Sequence, residues 1–352
     1  MSGSAKQKVL LGMSGGMDSS MAAVLLQQQG YEVIGATLLT YADDDLPGIQ
    51  EARKLAGNLG IEHHTIDCKA AFEKEVIAYF VDDYLNGRTP NPCIRCNETI
   101  KWKYLLQWAD QLDCEYISTG HYVQKYSANN YHYIVKGVDP AKDQSYFLWN
   151  LSQEVIQRAI FPLGQLHKKE VRELARSLGY ATFADKKESM GICFLSGTNY
   201  KQFLTNRLPD EHRAMQPGDV INRDHQIIAT HEGYPFYTLG QRKGIEGLKA
   251  GQCVVAIDPK NNRLQTGPRD SLFDTRVTLP HYQITSDTSL WHNQKVFIRV
   301  RGIDSVPGYE GTISIEEDAL LVQFETPVWG MMPGQSIVIY QEEKLIGGGI
   351  VE

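Results

Sequence analysis

The sequence predicts an α/β protein in three parts: an N-terminal parallel sheet with helices on both faces, a small central domain and a C-terminal antiparallel β-barrel. Two observations carry this reading. Over the first 120 residues, short apolar runs alternate with amphipathic segments, the rhythm of βαβ units. From about residue 205 the pattern changes to short alternating runs punctuated by Gly and Pro, as antiparallel strands read. The expected boundaries are 1–200, 201–270 and 271–352.

Each element has a local reason. KVLLG is an apolar run ending in Gly, as a buried parallel strand would be. MDSSMAAVLLQQQG reads as a helix closed by Gly30, EVIGATLL as the next strand, and IEHHTID as a third after a helix through EARKLAGNLG. A helix through AAFEKEVIAYFVDDYLNG leads to a proline-rich turn, TPNPCIRCN. In NETIKWKYLLQWADQL, four-residue spacing puts Ile100, Tyr104, Trp108 and Leu112 on one helix face. CEYISTG is a fourth strand. Late in the chain, KVFIRVRGI alternates Val296, Ile298 and Val300 against Phe297, Arg299 and Arg301, a half-buried strand.

The N-terminus has no apolar run long enough for a signal peptide, and no window approaches a membrane span, so a cytoplasmic protein with no membrane partner is expected. The six cysteines (Cys68, Cys93, Cys96, Cys114, Cys193, Cys253) are then thiols by default. Net charge is −7, but it is unevenly spread. Residues 1–150 carry 13 basic and 18 acidic side chains, 151–270 carry 17 and 13, and 271–352 carry 5 and 11. The basic middle third, with Lys168, Lys169, Arg172, Arg176, Lys186, Lys187, Lys201, Arg207 and Arg213, is either a solvated helix face or a phosphate-binding surface.

Two motifs suggest chemistry. GMSGGMDSS follows the first strand and opens a helix, so its glycines allow close backbone approach to a phosphate and the helix supplies N–H donors. Asp18 among phosphates makes sense through a bridging Mg²⁺. The Lys of a Walker A loop is absent. The second motif, Cys93-x-x-Cys96, is by itself a metal pair, a disulfide or a redox couple. A four-Cys zinc site is disfavoured because there is no second CxxC.

SGGMDS resembles the PP-loop of the ATP pyrophosphatase superfamily, whose nucleotide domain is Rossmann-like. With it, GRTPNPCIRCN, STGHYV, KDQSYFLW, FPLGQLHKKEVRELA, ESMGICF, YTLGQRKG, PGQSIVIY and GGGIVE resemble, in order, the tRNA-specific 2-thiouridylases. The resemblance runs from residue 8 to the end. It implies a transferase that uses ATP to adenylate O2 of the wobble uracil in tRNAs for Lys, Glu and Gln. Persulfide sulfur then replaces that oxygen, and AMP and pyrophosphate leave. A ring carbonyl oxygen must be activated in this way before it can depart.

The ATP contacts implied by the resemblance are Gly12, Met13, Ser14, Gly15, Gly16, Met17, Asp18, Ser19, Leu38 and Gly120. Cys193 matches the residue that carries the persulfide. Cys96 matches the nucleophile that completes sulfur release, leaving a transient Cys96–Cys193 disulfide. A nearby cation, Arg95 or Lys187, would favour the thiolates. Cys68, Cys114 and Cys253 read as inert and buried.

Asn91, Pro92 and Cys93 match the turn that meets the extruded base. Relatives with NPD carry a carboxylate where this chain has Cys93, and three readings stay open. Cys93 contacts the base through its backbone, exchanges disulfides with Cys96, or joins Cys96 and Cys193 in holding an iron–sulfur (4Fe–4S) cluster. His121, Lys142, Asp143, Gln144, Arg301, Gly302 and Gln335 match tRNA-contacting positions, although an aromatic is common where Gly302 falls. An upstream persulfide donor protein is expected with this chemistry, a monomeric enzyme is expected, and the basic middle third would grip the RNA backbone. The rival readings are a PP-loop ligase acting on a small molecule, and a tRNA-binding protein with a degenerate nucleotide site.

Overall fold

The structure is a computed structural model that describes residues 6–41, 47–180, 191–195, 197–302 and 308–352. Strands β1 (Lys8–Gly12), β2 (Glu32–Leu39), β3 (Glu62–Asp67) and β4 (Tyr116–Ser118) form a parallel sheet in the order β3-β2-β1-β4, extended by the short strand Ala159–Ile160. Strand order reverses between β1 and β4, so the crevice beyond their carboxyl ends is the expected ligand position in such a sheet. Both faces are covered, as alternation along β1 requires. Leu10 packs with Phe72, Phe80, Trp102 and Leu105, while Val9 and Leu11 pack with Met21, Leu26, Leu55 and Val171.

The four-residue stripe expected on the helix after the cysteines is displaced. Pro92–Cys96 is the first turn of that helix rather than part of a loop, with Pro92 in the opening position where its missing N–H costs nothing. A π turn, Asn97–Lys101, follows before α-helix resumes at Trp102–Gln111. The wider turn rotates the remainder, so the helix past it buries Trp102, Leu105 and Ala109, while Tyr104, Trp108 and Leu112 are only partly buried.

The central part is a four-stranded sheet of Gly218–Ile221, Ile227–His231, Gln252–Asp258 and Arg263–Pro268 around Val220, Tyr234, Val254 and Leu264. The C-terminal strands from Phe273 to Ile350 pair antiparallel throughout. They are joined by a hairpin from the N-terminal region, β5 (Val123–Ala128) and β6 (Tyr131–Lys136), through the pair Lys344–Val135. That hairpin has a local signature, Asn129 and Asn130 both at positive φ between strand-forming runs. Its sheet partner lies over 200 residues away, and it crosses the boundary expected near residue 200. Residues 145–149 lock the parts together: Tyr146 Oη donates to the Ser336 carbonyl at 2.7 Å and Trp149 Nε1 to Ser336 Oγ at 3.1 Å. No described helix is long and apolar enough to cross a membrane.

Candidate active site

A cavity of about 730 Å³ opens at the carboxyl ends of β1, β2 and β4. One wall is the glycine loop. Met13 N–H donates to the Ala36 carbonyl at 2.8 Å, and Ser19 Oγ accepts from Ser14 N–H at 3.2 Å and donates to the Gly16 carbonyl at 3.1 Å. The helix after it, α1 (Met17–Gln28), has Gly16 at its N-cap and no side chain capping it, which suits anion binding there. Gly15 has φ +73°, and a Cβ on it would lie 1.9 Å from the Gly48 carbonyl oxygen. Gly120 is needed for a second close approach, since its Cβ would lie 2.9 Å from Ser19 N.

Of the expected nucleotide residues, Gly12, Met13, Ser14, Asp18, Ser19, Leu38 and Gly120 line the cavity. Gly15, Gly16 and Met17 instead shape the turn and start the helix behind it. Asp18 differs from its expected role. Lys168 Nζ is 2.8 Å from each of its carboxylate oxygens, and the Tyr122 hydroxyl donates to one of them at 2.7 Å. The carboxylate is therefore committed to protein partners and does not fit as a direct Mg²⁺ ligand. Lys168 is correspondingly buried and is not part of a surface grip on RNA. Elsewhere in the basic third, Lys169 pairs with Glu173 and Arg207 with Glu73, while Lys186 and Lys187 lie outside the described residues.

The opposite wall carries sulfur. Cys93, Cys96 and Cys193 all line this one cavity, although Cys193 is nearly a hundred residues away in sequence. No disulfide joins any cysteine. Cys93 and Cys193 reach solvent within the concave site and Cys96 is half-buried, yet crowding disfavours charge on all three. Burial pushes the Cys93 and Cys96 thiols up, and burial with the neighbouring Cys96 and Cys93 pushes Cys193 to about 11. The cation opposing this is neither of the two expected. Arg95 is engaged by Glu75 at 2.9 Å and Glu98 at 3.5 Å, whereas Lys101 favours the thiolate at all three cysteines. Among the described residues Lys101 is the only cationic side chain lining the cavity. Eight residues after Cys93 it would sit about 80° around a regular α-helix, and the π turn brings it back. No pattern in the sequence announced that turn. No three His, Cys, Asp or Glu side chains group as metal ligands among the described residues.

Cys68, Cys114 and Cys253 are buried, as inert thiols should be. His121 lines the cavity, stacked on Trp102 and sharing a 2.6 Å hydrogen bond with Thr119 Oγ1. Burial, with Lys101 nearby, holds it well below the usual imidazole range and hence neutral. Pro92 and Gln144 also line the cavity, and Gln144 Oε1 accepts from Tyr122 N–H at 2.9 Å.

The remaining expected RNA contacts lie outside it. Asp143 is buried and accepts from Gly137 N–H, Ser145 N–H, Ser145 Oγ and Arg299, so its charge serves the fold. Lys142 is half-buried beside it, its N–H on the Asp139 carbonyl. Arg301 lies over Trp329, 4.5 Å from the ring centroid. Gly302 has Tyr146 and Phe147 within 3.0 Å of where a Cβ would be, so these rings fill the place of a side chain there. Asn91 precedes the cysteine helix, and Gln335 gives its amide N–H to the Thr89 carbonyl at 2.7 Å.

A glycine-loop phosphate site at the switch point of a parallel sheet, facing paired thiols, defines a nucleotide-using enzyme equipped for sulfur chemistry. Residues 7–197 match the family model described as tRNA methyl transferase HUP domain, 201–268 the tRNA methyl transferase PRC-barrel domain and 275–351 the aminomethyltransferase beta-barrel domain. The tRNA-specific 2-thiouridylase MnmA of Cytophaga hutchinsonii is 41% identical over 364 residues, covering 99% of this chain and 98% of that protein. The tRNA-specific 2-thiouridylase MnmA 3 of Phocaeicola vulgatus is 40% identical over 355 residues, covering 98% and 94%. A solved NMN synthetase from Francisella tularensis aligns at 21% identity and a TM-score of 0.34, over 58% of this chain and 80% of that one. The chain belongs to the tRNA-specific 2-thiouridylase family.

Proposed function

We propose that this protein is an ATP-dependent sulfurtransferase that converts the wobble uridine of tRNAs for Lys, Glu and Gln to 2-thiouridine. The observation that carries the proposal is the single cavity lined by both the glycine loop and the thiols Cys96 and Cys193. ATP, with Mg²⁺ carried on its phosphates, lies along the loop. The uracil O2 attacks the α-phosphorus, pyrophosphate leaves, and the base becomes an O-adenylyl ester. Cys193, loaded by an upstream persulfide donor, presents its outer sulfur to C2, and AMP departs with the former O2. Cys96 thiolate then attacks Cys193 Sγ, breaking the S–S bond. This leaves a Cys96–Cys193 disulfide for an external reductant and a thiocarbonyl on the base.

Asn91, Pro92 and Cys93 form the rim that meets the extruded base, and neutral His121 is placed to hydrogen-bond rather than to carry charge. With no carboxylate at position 93, the rim acts through backbone groups. Lys142, Arg301 and the exposed lysines and arginines of the middle third meet the RNA backbone. A monomer suffices, because one chain supplies both the loop and the thiols.

The test incubates the protein with unmodified tRNA, ATP, Mg²⁺ and a sulfur source, then runs a mercury-containing gel that retards thiolated RNA. A retarded band that depends on ATP is expected. Its absence under both aerobic and anaerobic conditions overturns the proposal.

A further inference from the structure

The segment between the helix Ala78–Leu85 and the cysteine helix Pro92–Cys96 is held from two other domains at once. From the central part, Tyr234 Oη donates to the Leu85 carbonyl at 2.7 Å, and Thr238 Oγ1 lies 2.8 Å from Thr89 Oγ1. Gly87, at φ +71°, abuts Ile257 and Pro259, which a Cβ would meet at 3.0 and 3.1 Å. From the C-terminal part, the Pro333 carbonyl accepts the Thr89 N–H at 2.8 Å. Gln335 Nε2 donates to the Thr89 carbonyl at 2.7 Å and lies 3.4 Å from the Pro90 carbonyl. Gly334, at φ +87°, lets that loop lie against Thr89, whose carbonyl oxygen a Cβ there would meet at 2.8 Å. The loop is in turn fixed to the C-terminal strand by bonds between Gly334, Gln335 and Val351.

All three polar groups of Thr89, its N–H, carbonyl and hydroxyl, are thus taken by residues more than 140 positions away. The two residues after Pro90 are Asn91 and Pro92, which begin the wall holding Cys93 and Cys96. Arg88 N–H is held locally on the Asp83 carbonyl at 2.8 Å and Asn91 N–H on the Tyr79 hydroxyl, but Pro90 and Pro92 have no N–H, and Thr89 between these anchors is held by the distant partners. We propose that Thr238 and Gln335 are positioning residues: through Thr89 they fix the rim and the first cysteine turn, making the geometry of sulfur transfer depend on docking of the central and C-terminal domains. This rests on the reading of Asn91–Cys93 as the base-facing rim. It gives Gln335 a role within the protein where sequence resemblance implied contact with RNA.

The experiment compares Thr238→Val, Thr238→Ser, Gln335→Leu and the double variant Thr238→Val/Gln335→Leu by steady-state thiolation and by amide hydrogen exchange of the full-length protein without RNA. Positioning predicts that Thr238→Val and Gln335→Leu each lower kcat about tenfold at saturating tRNA, with tRNA Kd within twofold of wild type. Thr238→Ser, which keeps the hydroxyl, restores most of the rate. Exchange at the Thr89 amide speeds up at least tenfold in the single Val and Leu variants while the β1 amides stay protected. Unchanged exchange at Thr89, or a raised tRNA Kd with kcat intact, overturns the proposal. The exchange measurement needs no catalysis, so an inactive wild type would count against the sulfurtransferase reading and leave the clamp to be judged by exchange alone.

Discussion

Lys168 and Asp18, 150 residues apart in sequence, form a two-point ion pair with Nζ 2.8 Å from each carboxylate oxygen. The pair docks the helix Lys168–Ser177 onto the start of α1, where phosphates are expected. It neutralises a negative charge that would otherwise repel them.

Lys168→Met should therefore leave the Asp18 carboxylate with the Tyr122 hydroxyl but without the Lys168 cation next to the phosphate path. The expected loss is about 1–3 kcal/mol of stability and at least about tenfold in ATP affinity. Thermal unfolding and calorimetric ATP titration measure these. Adding Asp18→Asn should recover most of the stability, because the stranded charge is then gone.

Gly15→Ala tests the loop. The substitution strains φ +73° and drives a Cβ into the Gly48 carbonyl oxygen 1.9 Å away. A cost of at least about 2 kcal/mol and loss of measurable ATP binding are expected. Gly30→Ala is the contrast: φ is +92° but nothing lies within 4 Å, so only the backbone penalty of about 1 kcal/mol remains and ATP binding persists.

Thiol reactivity should follow pH with a definite sign. Cys193, pushed up to about 11, is almost wholly protonated at neutral pH. Its alkylation by neutral iodoacetamide should rise about tenfold per pH unit from 7 to 10. Lys101→Met removes the cation that favours thiolate, so alkylation of Cys96 and Cys193 should slow several-fold at any pH in that range. Peptide-resolved mass spectrometry reads this out. A plateau near pH 8 would contradict it.

Cys96→Ser and Cys193→Ser should each abolish the retarded tRNA band while ATP with tRNA still yields pyrophosphate, up to about one equivalent per tRNA, since adenylation precedes sulfur transfer. Cys253→Ala, in the buried central sheet, should retain thiolation. Cys93→Ser separates the readings of that residue: activity survives if only its backbone serves, and fails if its thiol exchanges with Cys96 or holds an iron–sulfur cluster, which iron and labile-sulfide assays then tell apart.

Much was legible from local pattern. Each β–loop–α segment through residue 120 was readable because its signals are adjacent: an apolar run, glycines, then a helix. The hairpin Val123–Ala128/Tyr131–Lys136 had such a signal in Asn129 and Asn130, but nothing nearby identified its pairing partner. The cysteine segment read as a turn because two prolines obscured a helix start, and the π turn that shifts the core stripe left no trace in spacing.

The sequence by itself determined the glycine loop after the first strand and the alternation that builds the parallel sheet. These depend on backbone conformation and residue chemistry over a few positions. Tertiary structure alone decided that Asp18 meets Lys168, that Lys101 rather than Arg95 faces the thiols, and that Thr89 is gripped by Thr238 and Gln335. Charges and hydrogen-bond groups select partners only after chain segments a hundred or more residues apart have docked, and that docking is set by the whole buried surface.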